Sequence, residues 1–179
     1  MSLLPCSTDI PPYDQNVCEI EKLAAISQLA FLKPGQTTIT DYTNATQWQS
    51  AIANGDAVIT GKLMADLPDG APIQIDNKRA CGPAQKQVGV DYTLTVIDPN
   101  VSAENDAFWT GINGKTYTVV PFYCEENEIR VLETVQVSAR IPQAVGNGSD
   151  TQHYNVTLSW RYGNDNFGEL LNAPAGIFG

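Results

Sequence analysis

From Gln152 to Tyr162 the chain reads QHYNVTLSWRY, and apolar and polar positions alternate throughout. Tyr154, Val156, Leu158, Trp160 and Tyr162 fall on one face. His153, Asn155, Thr157, Ser159 and Arg161 fall on the other. A period of two marks a half-buried β-strand. Its aromatic face is large, and other segments must supply something for it to pack on.

The same period recurs upstream. In Val88 to Ile97, the positions Val88, Val90, Tyr92, Leu94 and Val96 are expected inside, with Pro99 as the stop. Thr116 to Cys124 reads as a strand, Glu125-Glu126-Asn127 as a turn, and Glu128 to Ile141 as a long returning strand. The alternation slips at Glu133 and Thr134, which predicts a bulge or a bend. The loop Gly146 to Ser149 then leads into the 152–162 strand as a second hairpin. Ala57 to Met64 is expected to be a strand, Pro68-Asp69-Gly70 a turn, Ile73 and Ile75 the start of a short strand, and Lys78 to Lys86 a loop. Ile20 to Leu32 fits either period. It is assigned as a strand from Ala24, ended by Pro34-Gly35.

Two segments have helical ends. Asn44 can cap a helix running to Asn54-Gly55, with Gln47 placed for a capping box and Trp48, Ala51 and Ile52 as its apolar stripe. Ser102 can cap a second, with Phe108, Trp109 and Ile112 buried and Asn113-Gly114 at the stop. Both are too short to stand alone, so each must lie on the sheet. No strand–helix–strand rhythm appears. The expectation is a mainly β protein: an antiparallel β-sandwich or barrel with two short capped helices and extended terminal arms. Residues 1–19, with Pro5, Pro11 and Pro12, read as an extended N-terminal arm. Residues 20–179 read as a single domain, ending in an apolar tail, Ala173 to Phe178, that needs a groove.

Charge narrows the partners. Ten basic residues stand against twenty acidic ones in 179, a net charge of −10. That argues against binding a nucleic-acid backbone and against an anionic membrane surface. No apolar run is long enough to span a bilayer. Leu3-Leu4-Pro5-Cys6 resembles a lipoprotein cleavage site but lacks the basic and apolar regions before it, so export is not expected. Cys6, Cys18, Cys81 and Cys124 form no C-x-x-C pair. Their spacing does not match the common four-Cys zinc patterns, and they are read as four separate buried thiols, with a Cys6–Cys18 disulfide as the best alternative.

Candidate chemistry is thin. His153, the single histidine, sits on the polar face of its strand with no G-x-S-x-G elbow in the chain. Glu125, Glu126, Glu128 and Glu133 gather at a hairpin end, where carboxylates are usually solvated rather than opposed across a cleft. Asp98, Asn100, Ser102 and Glu104 place oxygens like the start of a calcium loop. Ala103 stands where that loop needs glycine, and Trp109 stands at its twelfth position. Asn164-Asp165-Asn166 is weaker still. Four Asn-x-Ser/Thr triplets, at Asn44, Asn100, Asn147 and Asn155, are read as chance products of composition. Catalytic, cofactor and metal residues are accordingly expected to be none. Trp109 and Tyr123 would form the stacking surface of a carbohydrate-type ligand site if the domain were a binding module.

Taken together, the proline-containing arm, the small acidic β-domain, the two capped helices with Trp, the hairpin and the Ala-Pro-Ala-Gly-Ile-Phe tail resemble virion structural proteins of tailed bacteriophages. The resemblance is to the tail-tube or capsid-decorating kind, and it is architectural. It implies a non-enzymatic subunit without cofactors, located in the virion after assembly in the host cytoplasm. Its partners would be copies of itself and other virion proteins, with no specific nucleic acid and no membrane. Contacts are expected through the termini and the Gly146–Ser149 loop.

Overall fold

The computed structural model describes residues 26–65, 68–76, 85–123, 127–140, 152–163 and 168–179. The 1–19 arm, all four cysteines, Glu125, Glu126, the Gly146–Ser149 loop and Asn164 to Asn166 lie outside them.

The fold is mainly β, with a closed six-stranded antiparallel barrel, extra strands and two helices. The barrel strands are β1 (Ile26–Leu32), β3 (Met64–Ala65), β5 (Gln85–Asp98), β6 (Thr116–Tyr123), β8 (Leu132–Arg140) and β9 (Tyr154–Gly163). Pairing runs β6-β8-β9-β5-β3-β1, and β1 pairs back onto β6 to close the cylinder. The extra strands are β2 (Ala57–Ile59), β4 (Asp69–Asp76), β7 (Glu128–Arg130) and β10 (Leu170–Asn172). Helices α1 (Ala45–Ala53) and α2 (Ala103–Ile112) lie on the segments their caps predicted.

β9, the strand with the clearest alternation, is the barrel's best-paired wall. It runs in register with β5 from Asp98↔Tyr154 to Gly89↔Gly163, and with β8 from Arg140↔Asn155 to Gln136↔Ser159. Its apolar face points inward, where Tyr154, Val156 and Leu158 are fully buried with Leu94, Val96, Val135 and Val137. α2 adds Trp109 and Ile112 to this core. The second core lies outside the cylinder. Ala30 and Leu32 of β1 and Val120 and Phe122 of β6 face Trp48 and Ala51 of α1 there, together with Phe178 of the tail. β1 is therefore covered on both faces. This is why its sequence is a nearly continuous apolar run that fits two periods.

Several expectations are corrected. The strand expected over Ala57–Met64 is two pieces, β2 and β3, along one edge of β1. Between them Thr60 N–H donates to the Leu29 carbonyl (2.9 Å), and Leu63 N–H donates to that of Ser27 (2.8 Å). Asp69 and Gly70 are not in a turn but begin β4, and the loop expected to reach Lys86 gives way to β5 at Gln85. Val88 is 38% exposed rather than inside, and it is the extra residue of a bulge opposite β4. The long strand after Asn127 is broken into β7 and β8, and Thr134 has φ +56°, as the slip at Glu133 and Thr134 predicted. At α1, Asn44 caps as expected, accepting from Thr46 and Gln47 N–H. Gln47 does not complete a capping box. Its Oε1 accepts from the N–H groups of Thr40 and Asp41 instead.

The tail finds its groove on its own chain. Ala173 N–H donates to the Asn127 carbonyl (2.8 Å), Gly179 N–H to Gln28 Oε1 (2.9 Å), and Phe178 packs between Phe122 and Trp48. The C-terminal tail is thus part of its own domain's packing.

Candidate functional site

β5 is longer than the barrel needs. Among the described residues its pairing with β9 runs as far as Gly89↔Gly163, and its pairing with β4 continues to Asp76↔Gln85. Beyond Gly89 the strand pairing shown among the described residues is that of β4 with β5. The hairpin leaves at a bulge: Ile73 faces Gly89 and Gln74 faces Gln87, so Val88 is the extra residue. A bulge adds local twist and re-aims the strand beyond it. Glycine is required at the departure point, since a Cβ on Gly89 would lie 2.5 Å from the Tyr162 carbonyl oxygen.

The root of the hairpin is anchored by aromatics. Tyr92 stacks on Trp160, its cross-strand neighbour, with centroids 5.6 Å apart and planes at 16°, and meets the edge of Tyr162 at 6.2 Å. Gly70 opposes Tyr92, whose ring covers it; a Cβ there would come within 2.8 Å of that ring. The outer edge of β4 carries no partner strand among the described residues, and Gly70, Ala71, Pro72 and Gln74 line it. Such an edge is a template for pairing, blunted here by one proline that lacks a donor.

On the opposite edge of β9, at the same end, a cleft opens. β8 parts from β9 beyond Gln136↔Ser159, where Thr134 bends it away, and β7 pairs instead with β10. The space left is about 240 Å³, lined by Tyr42, Val131, Glu133, Tyr162, Gly168, Glu169 and Leu171. The Tyr162 hydroxyl donates to the Val131 carbonyl (3.1 Å), and Arg130 Nη1 donates to that of Gly168 (3.1 Å). Burial pushes the Tyr162 phenol up, with the Arg130 charge opposing and the Glu133 charge adding. Burial, then Glu133, does the same to Tyr42. Two phenol rings and two exposed carboxylates, Glu133 and Glu169, therefore share one small opening. Rings and carboxylates in this arrangement favour a cation.

The residues singled out from sequence do not meet there, apart from Glu133. His153 is exposed, just ahead of β9, and Glu128 lies on β7. Asp98 is buried and committed to structure. Its carboxylate accepts from the Trp109 indole N–H (2.9 Å), and from the backbone N–H (2.9 Å) and the side-chain amide (3.0 Å) of Asn100. Asp98 and Ser102, two of the residues that resembled a calcium loop, thus tie the end of β5 to α2 and cap that helix. Among the described residues no group of three or more His, Cys, Asp or Glu is placed to hold a metal. Trp109 is 1% exposed inside the barrel, so it cannot form an open stacking surface with Tyr123. No described helix is long and apolar enough to cross a membrane.

The cleft was not legible as a unit, because Tyr42, Glu133, Tyr162 and Glu169 come from four separate segments. The slip in alternation at Glu133 was its one signal. No family model, curated protein or solved structure matches the chain.

Proposed function

We propose that the chain is a non-enzymatic structural subunit of a tailed-phage virion, of the tail-tube or ring kind, which assembles with copies of itself. The observation that carries this reading is the β4–β5 hairpin, continued past the last barrel pairing among the described residues, Gly89↔Gly163, and carrying a bulge at Val88. An isolated two-stranded ribbon is marginal in water, so an extension of this length gains by packing on something else. The acidic composition is compatible with a surface that DNA passes without sticking. Trp109, inside the core, is not open to stack on a carbohydrate-type ligand.

Size-exclusion chromatography with light scattering tests the reading, on the full-length chain and on a version lacking residues 1–19. The reading expects concentration-dependent rings or tubes from the full chain. A chain that stays monomeric at high concentration contradicts it.

A further inference from the structure

We propose that the barrel interior beside Tyr92 holds a binding site in which the Trp160 indole N–H donates to an uncharged oxygen from outside the chain. That oxygen belongs to a water molecule, or to a carbonyl or hydroxyl group of a small ligand. The site does not depend on how copies of the chain assemble.

Trp160 is 6% exposed, and its indole nitrogen is buried without a hydrogen-bond partner among the described residues. Each of the other buried Trp and Tyr side chains described is engaged. The Trp48 indole donates to the Tyr42 carbonyl (2.8 Å), and that of Trp109 to Asp98 (2.9 Å). The hydroxyls of Tyr154 and Tyr162 donate to the carbonyls of Ser102 and Val131. A buried N–H left unbonded gives up its hydration with no return, and native interiors hold few such groups. Where one persists in a core that otherwise satisfies its donors, a bound molecule supplies the acceptor.

The surroundings set the charge of that acceptor and its way in. Trp160 shares the apolar inner core with Leu132, Val135 and Leu158, and its ring is stacked on Tyr92. An ionised acceptor would lose its hydration there for one hydrogen bond, so an uncharged oxygen is favoured. Trp160 is also the first residue of β9 beyond its last pair with β8, Gln136↔Ser159, and Thr134, at φ +56°, bends β8 away at that level. Backbone groups on that side of β9 are released from the ladder with β8. They offer the further partners, roughly two to four in all, that a buried water takes. The cleft of about 240 Å³ lined by Tyr162 lies on the same side of β9 and gives access.

The test is heteronuclear NMR on the full-length chain, labelled with carbon-13 and nitrogen-15, at a concentration where it is monomeric. The chain has three tryptophans. The indoles of Trp48 and Trp109, bonded to acceptors of the chain, serve as internal standards. Trp160→Phe keeps a ring against Tyr92, lacks the donor, and assigns the third signal. If that variant does not fold, the parent still shows three indole signals to compare. The Trp160 indole proton is expected at the downfield position of a bonded group, with no scalar coupling to a carbonyl carbon of the chain. A cross-relaxation peak to solvent protons then identifies water. A small molecule released from the parent on denaturation, seen by mass spectrometry and missing from Trp160→Phe, identifies an organic ligand. Two results overturn the proposal. One is an indole proton at the position of an unbonded group. The other is a scalar coupling to a carbonyl carbon of the chain, which places the acceptor in the protein itself.

Discussion

The ring of Phe178 lies flat on that of Phe122, with centroids 5.0 Å apart and planes at 15°, while its edge meets Trp48 at 5.4 Å. The last residues of the chain are thereby part of the outer core, alongside α1. Phe178→Ala removes both ring contacts and exposes part of Phe122. It is expected to cost roughly 2 kcal/mol, from apolar burial plus the aromatic pair. Chemical denaturation measures this, and the loss should appear at concentrations where the chain is monomeric. An unchanged midpoint would mean that the tail is not docked in solution.

Asp98 holds α2 to the barrel through the Trp109 indole. Replacing it with Ala strands a buried N–H and frees the turn at Asn100. The expected loss is about 2–4 kcal/mol, in the range for a charged hydrogen bond removed from one side. Calcium should not raise the melting temperature of the parent, since the carboxylate is already engaged. A calcium-dependent rise abolished by Asp98→Ala would restore the metal reading.

Gly89 is fixed by proximity rather than by backbone angle. A methyl group there meets the Tyr162 carbonyl at 2.5 Å, so Gly89→Ala must push β5 off β9 at the hairpin's root. Overpacking of this kind costs roughly 1–3 kcal/mol. The melting temperature should fall, and hydrogen exchange should rise at Tyr162 and Val90 before it rises at Leu94.

Arg161 and Asp91 form an exposed two-point pair, Nε to Oδ1 at 2.6 Å and Nη2 to Oδ2 at 3.0 Å. The hydrogen bonds from Arg161 lower the Asp91 carboxyl below its ordinary value. Because the folded value is the depressed one, the pair's contribution is present above the unfolded carboxylate range. It is lost as pH falls through the folded value. Arg161→Gln should return the Asp91 titration, followed by carbon-13 NMR, towards the ordinary value. Stability at neutral pH should change little, as for most exposed pairs.

Much of the barrel was legible because its walls obey a period of two. The alternation at Tyr154 to Tyr162 gives the inner face of β9 without error, and Trp48, Trp109 and Trp160 are buried as their stripes implied. The caps at Asn44 and Ser102 were equally plain, since their side chains act on N–H groups two or three residues on. Sequence failed where a strand changes partner. Val88 alternates like Leu94, but nothing local says that a bulge against β4 falls at this residue and leaves it 38% exposed. Thr60 to Leu63 reads as strand because its interruption is imposed by β1, through Leu29 and Ser27. The cleft depends on Tyr42 and Glu169 arriving from distant loops, and local patterns hold no trace of that.

Negative-stain microscopy tests the central claim most directly. The full-length chain is imaged at high concentration beside a variant in which residues 74–87 are replaced by a two-residue turn. The account predicts rings or tubes from the first and dispersed single barrels, with unchanged circular dichroism, from the second. Rings or tubes from both, or single particles from both, would contradict it.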